Sequence, residues 1–257
     1  MMRRIVIANR KGGVGKTTSA QNLAAAFAMA GKKVFCLDMD PQASLTTAWG
    51  VKREDKTVLD VLRKQASWQE VAVTVERYPG GGCVLLAPAN MQLAALPQLL
   101  VQELGKELLL KENLDELQTG FDIMLLDSPP SLDLIAVNCY VAADLVLITA
   151  QCEFYALEGL SKVESDIGRV RQRLNANLGI LGIVPTFFDK RKSLCRDVLG
   201  ELTKRYGDTV TKTAIRDNVA LAEAPSNGQS IFSYRPKAYG AEDYTALAAE
   251  LQKRMEV

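Results

Sequence analysis

The chain has 257 residues, 31 Lys and Arg against 30 Asp and Glu, no histidine, and an apolar fraction of 48%. These are ordinary globular values, compatible with one large α/β domain or two small ones, and the near-zero net charge excludes a global field that draws nucleic acid. The lack of histidine excludes Ser-His-Asp catalysis, His-ligated zinc and imidazole proton shuttles, but not phosphoryl transfer, which rests on positioning and electrostatics.

Apolar runs over 4–8, 34–38, 83–87, 123–127, 145–149 and 180–185 predict strands. Several are continuously apolar, as strands buried on both faces are. Helical patterns lie between them, over 17–30, 97–117, 132–142, 157–174 and 193–206, and 239–255 predicts a closing amphipathic helix. The alternation predicts an α/β fold, a mostly parallel twisted sheet with helices on both faces, in a single domain over 1–257. Between 51 and 82 only a helix over 57–64 and a turn at Pro79-Gly80-Gly81-Gly82 are readable. No run approaches the ~18 apolar residues of a membrane span. The N-terminal arginines lead straight into a strand rather than a secretory signal, so the expectation is a soluble cytoplasmic protein. Too few residues precede Arg4 for a DNA-reading helix-turn-helix. The five cysteines (Cys36, Cys83, Cys139, Cys152, Cys195) form no CxxC pair and are expected to be buried small side chains.

The chemistry begins at Arg10-Lys11-Gly12-Gly13-Val14-Gly15-Lys16-Thr17-Thr18, set between the first strand and the first helix. Glycines let backbone N–H groups turn inward on an anion, and the following helix presents its positive end. Lys16 is placed to meet β- and γ-phosphates, and the Thr17 hydroxyl suits a Mg²⁺ shell. Leu37-Asp38-Met39-Asp40-Pro41-Gln42 puts two carboxylates just past the second strand, where open α/β sheets bind ligands. Ile123-Met124-Leu125-Leu126-Asp127 has the Walker B form, with its carboxylate reaching Mg²⁺ through water.

Arg10 stands where the ordinary phosphate loop opens on glycine, a second lysine, Lys11, follows it, and the pattern K-G-G-x-G-K-[ST] resembles the deviant Walker A ATPases of the ParA/MinD branch. Asp127-Ser128-Pro129-Pro130 resembles that family's D-x-P-P, and Gln151-Cys152-Glu153-Phe154-Tyr155-Ala156-Leu157-Glu158-Gly159 resembles a segment of its Soj-type partition ATPases. The resemblance implies an ATP- and Mg²⁺-dependent homodimer in which Lys11 crosses to the partner's nucleotide. By the same resemblance Asp40 orients the attacking water, while Asp38 supports the Mg²⁺ shell and the loop lysines. Gly12, Gly13, Val14, Gly15, Lys16, Thr17 and Thr18 then cradle the phosphates. For Glu153 and Glu158 the residues leave an interface role and a solvated one both open.

The segment Ile215-Arg216-Asp217-Asn218-Val219-Ala220-Leu221-Ala222-Glu223-Ala224-Pro225 resembles the family's I-P-R-N-V-R-L-x-E-A-P. This assigns Arg216, Asn218 and Pro225 to the nucleotide, whereas Asp217 and Ala220 replace two usually basic positions, for which Arg216, one place earlier, is the DNA-binding substitute. Residues 186–216 hold eight cations against four carboxylates. Within them Lys190, Arg191 and Lys192 resemble a DNA-contacting turn of Soj-like proteins, a solvated loop being the alternative. The implied function is a nucleoid-associated partition ATPase that binds double-stranded DNA without sequence preference and is stimulated by a ParB-like centromere-binding protein. The alternatives are a relative that positions another cargo, such as carboxysomes or chemoreceptor arrays, a membrane-cycling ATPase like MinD, and a reductase like nitrogenase iron protein. The tail pattern Leu247, Leu251, Met255, with few cations, fits a packed helix better than a membrane anchor, so no stable membrane association is expected.

Overall fold

Side chains of the central strands alternate between two buried cores, which explains why their sequences are apolar without interruption. Val6 and Ala8 face one core and Ile5 and Ile7 the other; Phe35 and Leu37 oppose Val34 and Cys36 in the same way. The inner positions of these strands therefore meet apolar neighbours on both sides, as a sheet covered on both faces requires. The computed structural model describes residues 2–52, 56–117 and 120–256.

The strands are β1 (Arg3–Ala8), β2 (Lys33–Asp38), β3 (Val73–Arg77), β4 (Cys83–Ala87), β5 (Ile123–Asp127), β6 (Leu145–Gln151) and β7 (Gly179–Thr186). They form one sheet in the order β3-β4-β2-β5-β1-β6-β7. All neighbours are parallel except β3 and β4. The longer helices are α1 (Lys16–Met29), α2 (Leu134–Ala142), α3 (Ala156–Arg173), α4 (Ser193–Tyr206) and α5 (Tyr239–Met255). α1 and α5 cover one face of the sheet, and α2 and α3 the other.

The six predicted strands are all present. β3 is an addition: an edge strand, only partly buried, that forms a hairpin with β4 and carries a bulge between Thr74 and Glu76. Its turn is the predicted glycine cluster. Tyr78 N–H donates to the Gly82 carbonyl at 2.9 Å, and Gly80 and Gly81 have φ of 90° and 91°. Gly82 has a second reason to be glycine, since a Cβ there would lie 1.8 Å from the Ala28 carbonyl oxygen of α1.

The helix expected over 97–117 is not continuous. The chain forms a short turn at Leu96–Leu99, runs irregularly, and resumes helix at Leu109–Asp115. Gly105 interrupts it with φ of 71°, a left-handed conformation that a helix interior cannot hold. Leu104 is fully exposed, so the apolar spacing read in this stretch does not face a core. The five cysteines are free; four are buried and Cys83 is half-buried. Among the described residues no helix is long and apolar enough to cross a membrane.

Candidate nucleotide site

Parallel pairing of β2, β5 and β1 brings the three motifs to one edge of the sheet. Asp38 stands in register with Asp127, and Ile7 with Asp127 on the other side. Residues 9–15 then arch over the end of β1 into α1. Gly13 and Gly15 have φ of 75° and 87°, so the loop's shape depends on residues without Cβ strain. Gly15 also N-caps α1, and no side chain caps that end. The first amides of a 14-residue helix are thus left to an external acceptor, and its first turn carries no acid. Thr186 Oγ1 donates to the Val14 carbonyl at 3.0 Å and braces the loop from β7.

Lys16 is buried, and its Nζ donates to the Lys11 carbonyl across the loop at 3.2 Å. Burial lowers its pKa, opposed by the charges of Asp127 and Asp40. Thr17 Oγ1 donates to Asp127 Oδ2 at 2.7 Å. The other oxygen, Asp127 Oδ1, is buried with no hydrogen-bond partner among the described residues. Burial first, then the nearby Asp38 charge, push the Asp127 carboxyl up to about 8. Burial likewise raises Asp38 to about 6, against hydrogen bonds that favour its charged form. An orphaned carboxylate oxygen, an adjacent hydroxyl and excess negative charge are what a hard divalent cation satisfies, most of its other ligands being phosphate and water. Among the described residues no group of three or more His, Cys, Asp or Glu is arranged to hold a metal by itself.

Asp38 and Asp40 differ in role. Asp38 accepts from Thr46 N–H at 2.8 Å, Thr46 Oγ1 at 2.7 Å and Asp40 N–H at 3.2 Å, so its oxygens mainly hold the loop after β2. Asp40 is half-buried, and its Oδ1 accepts from Gln42 N–H at 2.9 Å.

Beyond the helix N-terminus lies an apolar cavity of about 230 Å³ lined by Gly15, Thr18, Phe187, Arg216, Asn218 and Leu221, among others. Asn218 Oδ1 caps the short helix Val219–Glu223 by accepting from Ala220 N–H at 2.9 Å. Pro225 is half-buried and does not line this cavity. The Arg216 guanidinium is engaged within the chain. It pairs with Asp243 at 2.6 Å and Glu242 at 2.9 Å, and lies 4.3 Å from the Tyr239 ring centroid. Lys190, Arg191 and Lys192 are exposed; Arg191 forks onto Asp189 at 2.8 Å, which holds that carboxyl well below its usual range. A bridge between Phe188 and Arg216 ties this basic turn to the cavity wall.

Three site features have no counterpart in the motifs. Phe187, beside the cavity, has a left-handed φ of 52°. Lys11 Nζ pairs with Glu153, and Arg10 pairs with Asp166. Asp166 did leave a signal in the sequence: it interrupts the buried stripe Leu160, Val163, Ile167, Val170 of α3.

A model of the AAA domain family matches residues 2–180. The chain is 41% identical over 251 residues to the sporulation initiation inhibitor protein Soj of Bacillus subtilis (strain 168), an alignment covering 96% of this chain and 97% of that protein. The chain belongs to the Soj/ParA family of P-loop ATPases. Another family member, the chromosome-partitioning ATPase Soj of Treponema pallidum (strain Nichols), is 41% identical over 254 residues, covering 99% of this chain and 98% of the relative. In three dimensions the chain is similar to cobyrinic acid a,c-diamide synthase from Mycobacterium smegmatis, solved with bound ADP and magnesium. The TM-score is 0.86 at 31% identity, over 100% of this chain and 96% of that one.

Proposed function

We propose that this Soj/ParA-family ATPase binds ATP with Mg²⁺, closes as a homodimer over two nucleotides, and in that state binds double-stranded DNA without sequence preference. Partner-stimulated hydrolysis then releases it, the partner being a ParB-like centromere-binding protein and the cargo a plasmid or chromosome. The observation that carries the reading is the division of labour between two loop lysines. Lys16 is buried over the end of α1, whereas the Lys11 side chain is 49% exposed on the outer rim of the same loop. A buried lysine serves the nucleotide of its own subunit, and an exposed one is available to a second subunit. The Soj relatives support the partition role, and the ADP and magnesium of the M. smegmatis synthase support the ligands.

In this reading the α1 N-terminus, with Gly12, Gly13, Val14, Gly15 and Thr18, cradles the phosphates, and Lys16 offsets their charge. Thr17 and Asp127 would hold Mg²⁺, with Asp38 steadying the loop beside them, and the bound cation would supply neutralisation of phosphate charge. Asp40 is the half-buried carboxylate left to orient a water for attack. The adenine occupies the cavity against Phe187 and Asn218. DNA phosphates meet Lys190, Arg191 and Lys192, doubled in number when two copies associate. The setting is cytoplasmic and nucleoid-associated.

Light scattering on the eluting protein with Mg²⁺ and a non-hydrolysable ATP analogue tests the reading. A dimer mass is expected with the analogue and a monomer mass without nucleotide. A chain that stays monomeric with saturating analogue overturns the dimer.

A further inference from the structure

The start of the phosphate loop is held at three points of unequal strength. Asn9 Nδ2 donates to the Thr149 carbonyl at 2.6 Å, and its Oδ1 accepts from Lys11 N–H at 2.9 Å. Arg10 forks onto Asp166 through two bonds of 2.6 and 3.0 Å. Lys11 Nζ pairs with Glu153, in the turn between β6 and α3.

The two ion pairs sit in different surroundings. The Asp166 side chain is 3% exposed, so separating Arg10 from it would strand a buried carboxylate. The Lys11 and Glu153 side chains are 49% and 29% exposed, so water can solvate both ions once they part. The first pair is a fixed anchor and the second is releasable.

We infer that Glu153 is a positioning residue for Lys11: an intramolecular latch that holds the ammonium against its own subunit until a more negative acceptor arrives. The inference rests on the dimer reading above, in which that acceptor is the nucleotide of a second copy of this chain. A nucleotide triphosphate carries several negative charges against the single charge of Glu153, so at equal distance it wins Lys11. The latch then opposes association of subunits that carry no nucleotide. Arg10, anchored on Asp166, keeps the base of the lysine arm in place while its tip changes partner.

Glu153→Gln removes the charge and keeps the shape. An exposed pair of this kind contributes about two- to fivefold to an equilibrium, and a dimer breaks two of them. In Mg²⁺ and a non-hydrolysable ATP analogue, the dimer dissociation constant of Glu153→Gln, read by analytical ultracentrifugation, is therefore expected to fall about four- to twenty-five-fold. Glu153→Asp should return it toward the parent value. In a Lys11→Ala background the Glu153→Gln gain should vanish, which a merely structural role for Glu153 would not produce. Glu116→Gln, which loses only an exposed pair with Lys64 outside the site, serves as the control and should change nothing. A Glu153→Gln chain that dimerises no more tightly than the parent overturns the latch while leaving the dimer intact. So does a gain that persists without Lys11. A parent that fails to dimerise with the analogue overturns both.

Discussion

Asp38 and Asp127 face each other in register across β2 and β5, two carboxylates at the same height on adjacent parallel strands. Burial keeps both proton affinities high, helped by the Asp38 charge on Asp127, at about 8, and by the Asp40 charge on Asp38, at about 6. Both native values lie above the ordinary carboxyl value of about 3.9, so between them the native state binds more protons than the unfolded one. This contribution is greatest at acid pH and is lost as pH rises through about 6 and then about 8. Nucleotide-free protein should therefore melt at lower temperature at pH 8 than Asp127→Asn does, by at least about 1–2 kcal/mol in stability. Calorimetry at pH 5 and pH 8 checks this, and an equal difference at both pH values would contradict it.

Lys16→Ala should lower ATP affinity by about 10- to 100-fold, because a charged donor to the phosphates is lost from a buried position. Titration with a fluorescent nucleotide measures it; affinity within twofold of the parent would displace Lys16 from the phosphate site.

Asp40→Ala should bind ATP nearly as the parent does and hydrolyse it about 100-fold more slowly or worse, the loss expected when a group that orients the attacking water is removed. Single-turnover hydrolysis at saturating nucleotide reads the chemical step directly. Retained turnover would move the role to another carboxylate.

Changing Arg191 and Lys192 together to Glu should abolish ATP-dependent DNA binding while sparing ATP binding. For every DNA phosphate that is no longer neutralised, the log–log salt dependence should also flatten by about 0.9. Fluorescence anisotropy over a range of salt concentrations tests both. Arg216→Glu is a poor probe of DNA, because it places a third carboxylate beside Asp243 and Glu242 and should lower stability by about 1–3 kcal/mol.

Gly82→Ala should destabilise the protein by about 1–3 kcal/mol or more, because its Cβ would meet the Ala28 carbonyl and push the hairpin turn off α1. Urea denaturation should show a lower midpoint with an unchanged slope.

The phosphate loop, the Asp38–Asp40 pair and Asp127 were legible in the sequence for a physical reason. Each is a short run of residues whose spacing alone places it at the end of a strand, and parallel strands share that end. Apolar runs likewise marked the six other strands, the five inner ones and β7 at the far edge, since both faces of the sheet are covered there. β3 carried no such mark: at an edge, half-exposed, with Glu76 and Arg77 in a five-residue run, it is a strand only because β4 pairs with it. The stretch 97–117 looked helical because leucines recur there at suitable intervals, but Gly105 breaks the backbone and Leu104 faces solvent. Only the tertiary structure decided which charges meet. Glu153 lies 142 residues from Lys11, Asp166 lies 156 from Arg10, and Asp243 lies 27 from Arg216. No local pattern encodes such pairs, because ion pairing depends on side chains converging within a few ångströms, and that convergence is set by how strands and helices stack. The sequence by itself thus determined where the glycine loop and the three carboxylates fall relative to the strands. The packing of β6, α3 and α5 determined that Lys11 is held by Glu153 and that the Arg216 guanidinium is turned inward on carboxylates.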